Sequence, residues 1–354
     1  MNNTEFIIGV NITIISLGIL SYYLNAFSNS GIYFGVRIPK KFKDIEEIKI
    51  LEKEYKRSMI LLFSLLILVM NILSFIYINK NEYTLESIFG ITMLLAILIN
   101  FTIFVKYNVK LKKLKEEKGW NYKSNNVVVV DTSLRKPKKN EKYKAINDWT
   151  FLVPIILPLT VLILTYIRRE NLVNLKIYEV YRIPLIGIVM CLFMYLLAKI
   201  SLKSKVDLNS SNIESTIINK KKLKRLISIF FLVSEIEVTL LYSIIQIGII
   251  YNFYTEKLLS YINIFIAISM VIFLLISILI GSKGRVVEKN EKQEEVYKDD
   301  DKNWIFGMFY YNKNDPSFMI EKRVGLGYTI NFANKTALIF LVLVILFITL
   351  MSFL

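Results

Sequence analysis

Glu235, Thr239, Tyr242 and Gln246 are the residues whose types and spacing are best suited to chemistry in this chain. They lie in the apolar run LISIFFLVSEIEVTLLYSIIQIGIIY, at helical offsets of 0, +4, +7 and +11, with Ser228 at −7. All five fall within about 40° of one direction on a helix. Such a stripe of carboxylate, hydroxyls and amide can carry a proton or cation, or line a pocket for a polar ligand. The same groups can instead hydrogen-bond to neighbouring helices, each bond typically worth less than about 2 kcal/mol. Both readings stay open from the sequence, and for the second Asn71 and Asn100, in other apolar runs, are the expected partners. Glu235 follows Arg225 by about 15 Å of helix axis. A carboxylate at that depth costs about 2.5–3.5 kcal/mol to insert, so it should be neutral, paired or facing water. Glu237 lies about 200° around the helix and does not join the stripe.

Other chemistries are excluded by what the chain lacks. It has no histidine and one cysteine, Cys191. Histidine triads, histidine-ligated metals, imidazole pH sensing and intrachain disulfides are therefore ruled out. Asp299, Asp300, Asp301 and Asp315 offer the oxygen ligands that Mg²⁺ takes, but an acidic run before a strand reads as a solvated edge. The sequence "GLG" at Gly325–Gly327 lacks the further glycine and helix of a phosphate-binding fingerprint and is read as a turn. No metal, no cofactor and no enzymatic activity are expected.

The elements that must position these residues are blocks of apolar sequence. The chain has 354 residues, 54% of them hydrophobic, yet a net charge of +16. Eight apolar runs stand at about 6–27, 58–79, 84–106, 150–167, 183–201, 226–251, 260–281 and 336–354. Each approaches the roughly 20 residues that cross a hydrocarbon core, and none alternates as a barrel strand does. The fold class is all-α, a polytopic membrane protein of about eight transmembrane helices with a small cytoplasmic β-rich layer built from loops. Lysine and arginine set its orientation. Connections 28–57, 106–149, 199–225 and 282–335 hold 39 of them, and the alternate connections 80–83, 168–182 and 252–259 hold 6. Both termini are thus expected outside the cell membrane, with the long basic loops in the cytoplasm. Basic charge beside membrane helices points to the lipid bilayer and its anionic headgroups, with "KKKLKR" at 220–225 the clearest patch, and not to nucleic acid.

The loops carry their own patterns. In "GIYFGVRIPKKFKDIEEIKILEKEYKR", residues 31–57, Gly31 and Gly35 flank Tyr33 and Phe34 in an extended piece closed by Pro39. Asp44 and Glu47 then make a capping box, and the helix they begin runs, or bends sharply, into the second span. Val127–Val130 form a β-prone run needing a partner. The expected partner is a three-stranded meander of Ile305–Tyr311, Ser317–Arg323 and Tyr328–Phe332.

"FGVRIP", with Gly35, Arg37 and Pro39, resembles the first cytoplasmic loop of an uncharacterised family of multi-spanning bacterial membrane proteins. The segment "DDDKNWIFGMFYYNKNDPSFMIEKRVGLGYTINF" looks like that family's C-terminal domain of unknown function. It carries the pattern through Trp304, Gly307, Asn312, Asp315, Pro316, Lys322, Arg323, Gly325, Gly327, Asn331 and Phe332. "VVDTSLR", with Asp131 and Arg135, fits the family's second cytoplasmic loop. Through its central spans the family is similar to the immunity proteins against the sporulation-delaying peptide toxin, from "DWTFLVPIILPLTVLILTYI" onward. Relatives show an outer loop with prolines and a histidine, where this chain has "RRENLVNLKIYEVYRIP" with Pro184 only at its end. The resemblance implies an immunity or signalling protein that senses or neutralises an envelope-acting peptide toxin and communicates with a cytoplasmic regulator. The stripe around Glu235 suggests the alternative of a small transporter or ion- or proton-coupled protein. The expected organisation is helices one to three over 1–106, a basic loop at 107–149 and helices four to seven over 150–281. The β-meander domain over 282–335 and a last helix over 336–354 complete it.

Overall fold

The computed structural model describes residues 3–28, 31–42, 45–77, 82–120, 143–172, 176–206, 213–251, 299–325 and 327–353, with isolated helical positions at 264, 265, 268, 269, 271 and 272. The seventh run is otherwise outside the described residues, as are Asp44, Val127–Val130, Asp131 and Arg135.

Among the described residues, seven α-helices follow in chain order: α1 Asn3–Tyr22, α2 Glu46–Tyr77, α3 Glu82–Glu117, α4 Ile156–Ile167, α5 Ile177–Leu202, α6 Ile213–Tyr251 and α7 Lys335–Phe353. Among the described residues, five helical stretches are long and apolar enough to cross a membrane: Glu46–Tyr77, Ser87–Glu117, Asp148–Ile167, Ile177–Leu202 and Thr216–Tyr251. Their outward faces are apolar too, with Ile60, Leu65, Leu68, Ile72 and Phe75 of α2 all more than half exposed. Water does not tolerate such a face, whereas hydrocarbon does.

The chain divides into two compact units. The first comprises residues 1–127, 296–311 and 322–326, and the second 128–295, 312–321 and 327–354. In the first, α1, α2 and α3 pack on a core that includes Val10, Ile14, Ile48, Met59, Phe63, Ala96 and Phe104. The buried positions of α2 are Ile48, Tyr55, Met59, Phe63, Leu66, Met70 and Ser74, the steps of three, four and seven that mark one helix face. At 32 residues α2 is about 48 Å long. The amphipathic stretch after Pro39 therefore continues straight into the second apolar run as one helix.

Asn71 and Asn100, expected to pair with the stripe of α6, find partners within the first unit. Asn71 exchanges reciprocal amide bonds with Asn11 of α1, at 2.8 and 2.9 Å. Asn100 donates to the Ser21 hydroxyl. An amide among apolar helices pairs with the polar group its own bundle presents, and here that group lies on α1.

Two hairpins belong to the first unit. β1 (Ile32–Tyr33) pairs antiparallel with β2 (Val36–Arg37). β3 (Trp304–Ile305) pairs antiparallel with β4 (Phe309–Tyr310). The expected extended piece around Tyr33 and Phe34, and the expected strand Ile305–Tyr311, are thus each folded back on themselves. Both turn on a Phe-Gly pair with positive φ at each residue, 46° and 76° at Phe34–Gly35 and 52° and 71° at Phe306–Gly307. That is the type I′ arrangement, whose twist suits a tight hairpin.

In the second unit α4, α5 and α6 meet at Gly187. A Cβ there would stand 3.2 Å from the Cβ atoms of both Pro158 and Tyr242. The fourth run begins as a 3₁₀ helix, Asp148–Ile155, and becomes α4 after Pro154. Pro184 lies inside α5, not at the end of the preceding loop, because α5 already starts at Ile177, where Glu179 accepts from the Lys176 amide. β5 (Met319–Glu321) pairs antiparallel with β6 (Tyr328–Ile330). Lys205 adds a parallel bridge to Ile320. Two separate hairpins therefore stand in place of the expected three-stranded meander.

Candidate functional site

In the first unit three carboxylates and three cations from distant parts of the sequence converge. Arg323 donates through one guanidinium nitrogen to Asp300, and through the other to Asp301 and, at 2.7 Å, to the Gly35 carbonyl. Arg37 donates its Nε to Asp300 at 3.2 Å and its backbone amide to Asp301 at 3.1 Å. Lys115 of α3 reaches Asp299 at 2.6 Å and Asp301 at 2.7 Å. The Trp304 indole donates to Asp300 at 3.3 Å, and its ring lies under the Arg323 guanidinium, 5.1 Å from the centroid.

Both arginines are 1% exposed and Lys115 6%. Charges that far from water are tolerable only when paired and hydrogen-bonded. The acidic run is accordingly not a solvated edge, because its oxygens neutralise three buried cations. Burial alone would raise the Asp301 carboxyl. The charges of Arg323 and Lys115, with their hydrogen bonds, outweigh it and hold Asp301 below the usual aspartate range.

The cluster is seated on the two hairpin tips. Gly35 and Gly307 face each other so closely that a Cβ on Gly35 would meet the Gly307 carbonyl oxygen at 2.7 Å. Asn108 of α3 donates to the Phe34 carbonyl at 2.6 Å. The Phe34 ring is fully buried, edge-on to Tyr55 at 5.0 Å. Pro39 follows β2 and accepts from the Phe42 amide at 2.9 Å. Lys322, next to Arg323, is exposed, and Gly325 holds a φ of 82° in the connection after β5.

The second unit gathers the remaining motif residues around Asn331, which is fully buried and uses its whole amide. It donates to the carbonyls of Asn312 (2.9 Å) and Asp315 (2.8 Å), and accepts from the amides of Asn312 and Ala333 at 3.1 Å. Asp315 accepts from the Ser317 amide across Pro316 and pairs with Lys205 at 2.7 Å. Gly327, with a φ of 93°, precedes β6. Asn334, which the sequence pattern did not single out, caps α7 by accepting from the Thr336 and Ala337 amides at 3.0 and 3.3 Å. Its signal was an Asn just before an apolar run. The "KKKLKR" lysines are partly engaged within this unit. Lys220 pairs with Glu321, and Lys224 donates to the Leu202 carbonyl at the end of α5 at 2.8 Å.

The α6 stripe is buried and largely hydrogen-bonded. Ser228 accepts from the Ile146 amide at 3.1 Å. Glu235 accepts from the Cys191 thiol of α5, at 3.1 Å from Sγ. Thr239 donates back to the Glu235 carbonyl at 2.9 Å. Gln246 donates to the Thr165 hydroxyl at 3.1 Å and the Val180 carbonyl at 2.9 Å, joining α4, α5 and α6. Tyr242 packs on Gly187. Glu235 Oε2, Glu237 Oε1 and Gln246 Oε1 are buried with no hydrogen-bond partner among the described residues.

A sequence family described only as a family of unknown function (DUF5808) matches residues 313–338, the segment from the Asn331 knot into the start of α7. No curated protein and no solved structure matches the chain.

Proposed function

We propose that the chain is an eight-span protein of the bacterial cell membrane, with both termini outside. It senses or neutralises an envelope-acting peptide and communicates with a regulator through its basic cytoplasmic segments. The orientation is supported by the division of Lys and Arg, 39 against 6, between alternate connections.

The function rests on one observation. Arg37 and Arg323, from two of the three loop segments that carry the family resemblance, are buried in one charge-balanced cluster with Asp300 and Asp301. Every carboxylate there holds a cation of the same unit, which suits a rigid platform for a partner rather than a reaction centre. A deletion strain challenged with membrane-active peptides tests this. Increased sensitivity, restored by the intact gene and not by a charge-reversed Arg323→Glu copy, is expected. Unchanged sensitivity across a panel of such peptides removes the reading.

A transport reading keeps one support, the buried and unpartnered Oε2 of Glu235. A Glu235→Gln chain that loses proton-coupled uptake in vesicles would favour it.

A further inference from the structure

Two adjoining clefts of the first unit run along the seam between α1 and α2, and together they have the form of a lipid. One, of about 520 Å³, is lined by Lys49, Lys53, Lys56 and Arg57 of α2, with Glu52 the one carboxylate on its wall. The other, of about 400 Å³, is apolar and is lined by Ile15, Gly18, Ile19, Met59 and Phe63 among others. Tyr22 and Ile60 belong to both, so the basic mouth opens into the apolar groove. Gly18 lets α1 close onto α2 at the floor of this groove, because a Cβ there would press on the Phe63 ring at 3.1 Å.

The charge in the mouth is arranged rather than scattered. Residues 49, 53, 56, 57 and 60 stand at offsets 0, +4, +7, +8 and +11 and share one helix face. Like charges at i, i+4, as in Lys49–Lys53 and Lys53–Arg57, disfavour the helix unless an anion sits between them. Glu52 is the one carboxylate that answers these four cations in the mouth, because two other acids of α2 turn to the opposite side. Glu47 pairs with Lys118 and Glu54 with Lys110, both on the side of α3. Lys56 lies over the Tyr22 ring, 5.3 Å from its centroid, at the junction of the two clefts. The apolar part of α2 begins at once beyond Arg57, so this rim sits at headgroup level in the orientation proposed above.

We infer that this seam is a binding site for an anionic phospholipid of the cytoplasmic leaflet. The phosphate is held by Lys49, Lys53, Lys56 and Arg57, and one acyl chain lies in the groove beside Gly18. The inference rests on the membrane reading and deepens it by naming the lipid class and its seat.

Native mass spectrometry of the full chain in a mild non-ionic detergent tests it, with phosphatidylglycerol and phosphatidylcholine of identical acyl chains as probes. The intact chain should retain phosphatidylglycerol preferentially. In Lys53→Gln/Arg57→Gln that affinity should fall about 30-fold, the equivalent of about 1 kcal/mol per basic residue at a lipid surface. The charge-matched Lys113→Gln/Lys302→Gln should keep it. Ile19→Trp, at an exposed position on the groove, should weaken both lipids without changing the preference. Equal retention of the two lipids, an equal loss in the control pair, or displacement by inorganic phosphate overturns the inference. The last outcome would make the mouth a site for free anions. A chain that stays in solution without detergent would remove the membrane reading itself, whereas equal retention by a detergent-requiring chain removes this inference alone.

Discussion

Gly35 and Gly307 touch backbone to backbone, although 271 residues intervene between them in the chain. Each occupies the second position of a Phe-Gly turn at positive φ, so each is fixed twice, by dihedral and by contact. Gly35→Ala should destabilise the first unit by on the order of 3 kcal/mol, combining the left-handed penalty with overpacking. Gly325→Ala, also at positive φ but with nothing near its Cβ, should cost only about 1–2 kcal/mol. Thermal melts in detergent read the difference, and equal shifts would refute the tip-to-tip contact.

Arg323 carries three acceptors and an aromatic face on one guanidinium. Arg323→Met should cost about 3–5 kcal/mol, because it leaves Asp300 and Asp301 short of a cation in a largely buried place. A cycle with Asp300→Asn should give a coupling energy of about 0.5–3 kcal/mol. Strict additivity in unfolding measurements would mean the two residues do not interact.

The same cluster fixes an acid response. Asp301 has a native pKa below its unfolded value. Its contribution is therefore complete above the unfolded aspartate range near pH 4, and is lost as pH falls through the lower native value. Melting temperature should hold from neutral pH to about pH 5 and then decline. Asp301→Asn should melt lower at neutrality and show a shallower acid limb, and an unaltered limb would contradict the assignment.

Asn331 has both donors and two acceptor bonds in use. Asn331→Asp keeps the acceptors and loses both donors, leaving the Asn312 and Asp315 carbonyls without that partner. A loss of about 2–4 kcal/mol is expected. Hydrogen exchange should report it as faster exchange at the Asn312 and Ala333 amides, with the α1–α3 bundle unaffected.

Cys191 is the sole thiol, fully buried against Glu235. Maleimide should label it slowly in the folded chain and quickly after denaturation. Glu235→Gln preserves an acceptor and should leave labelling slow, while Glu235→Ala should speed it. Rapid labelling of the unaltered chain would place the stripe beside water.

The long apolar runs were legible as helices because one face of α2, from Ile48 to Ser74, repeats at helical spacing whatever it packs against. The hairpins were not, since Phe is unusual at positive φ and Ile305–Tyr311 has the composition of one strand. The repeated Phe-Gly at 34–35 and 306–307 was the available clue. Local sequence likewise hides the partners of an acidic run when they are Arg37, Lys115 and Arg323, up to 264 residues away. The stripe on α6 was visible as a period, but its bonds to Cys191, Thr165 and Val180 depend on how three helices pack, which no single helix encodes.

α2 has no proline or glycine between Glu46 and Tyr77. Sharp kinks arise mostly at such breaks, and α2 runs as one continuous α-helix, so it behaves as a stiff shaft. Its basic end, carrying Lys49 to Arg57, and its far end, carrying the Asn71 amide latched to Asn11, must tilt or twist as one body. A load applied at either end is felt at the other without any hinge to absorb it.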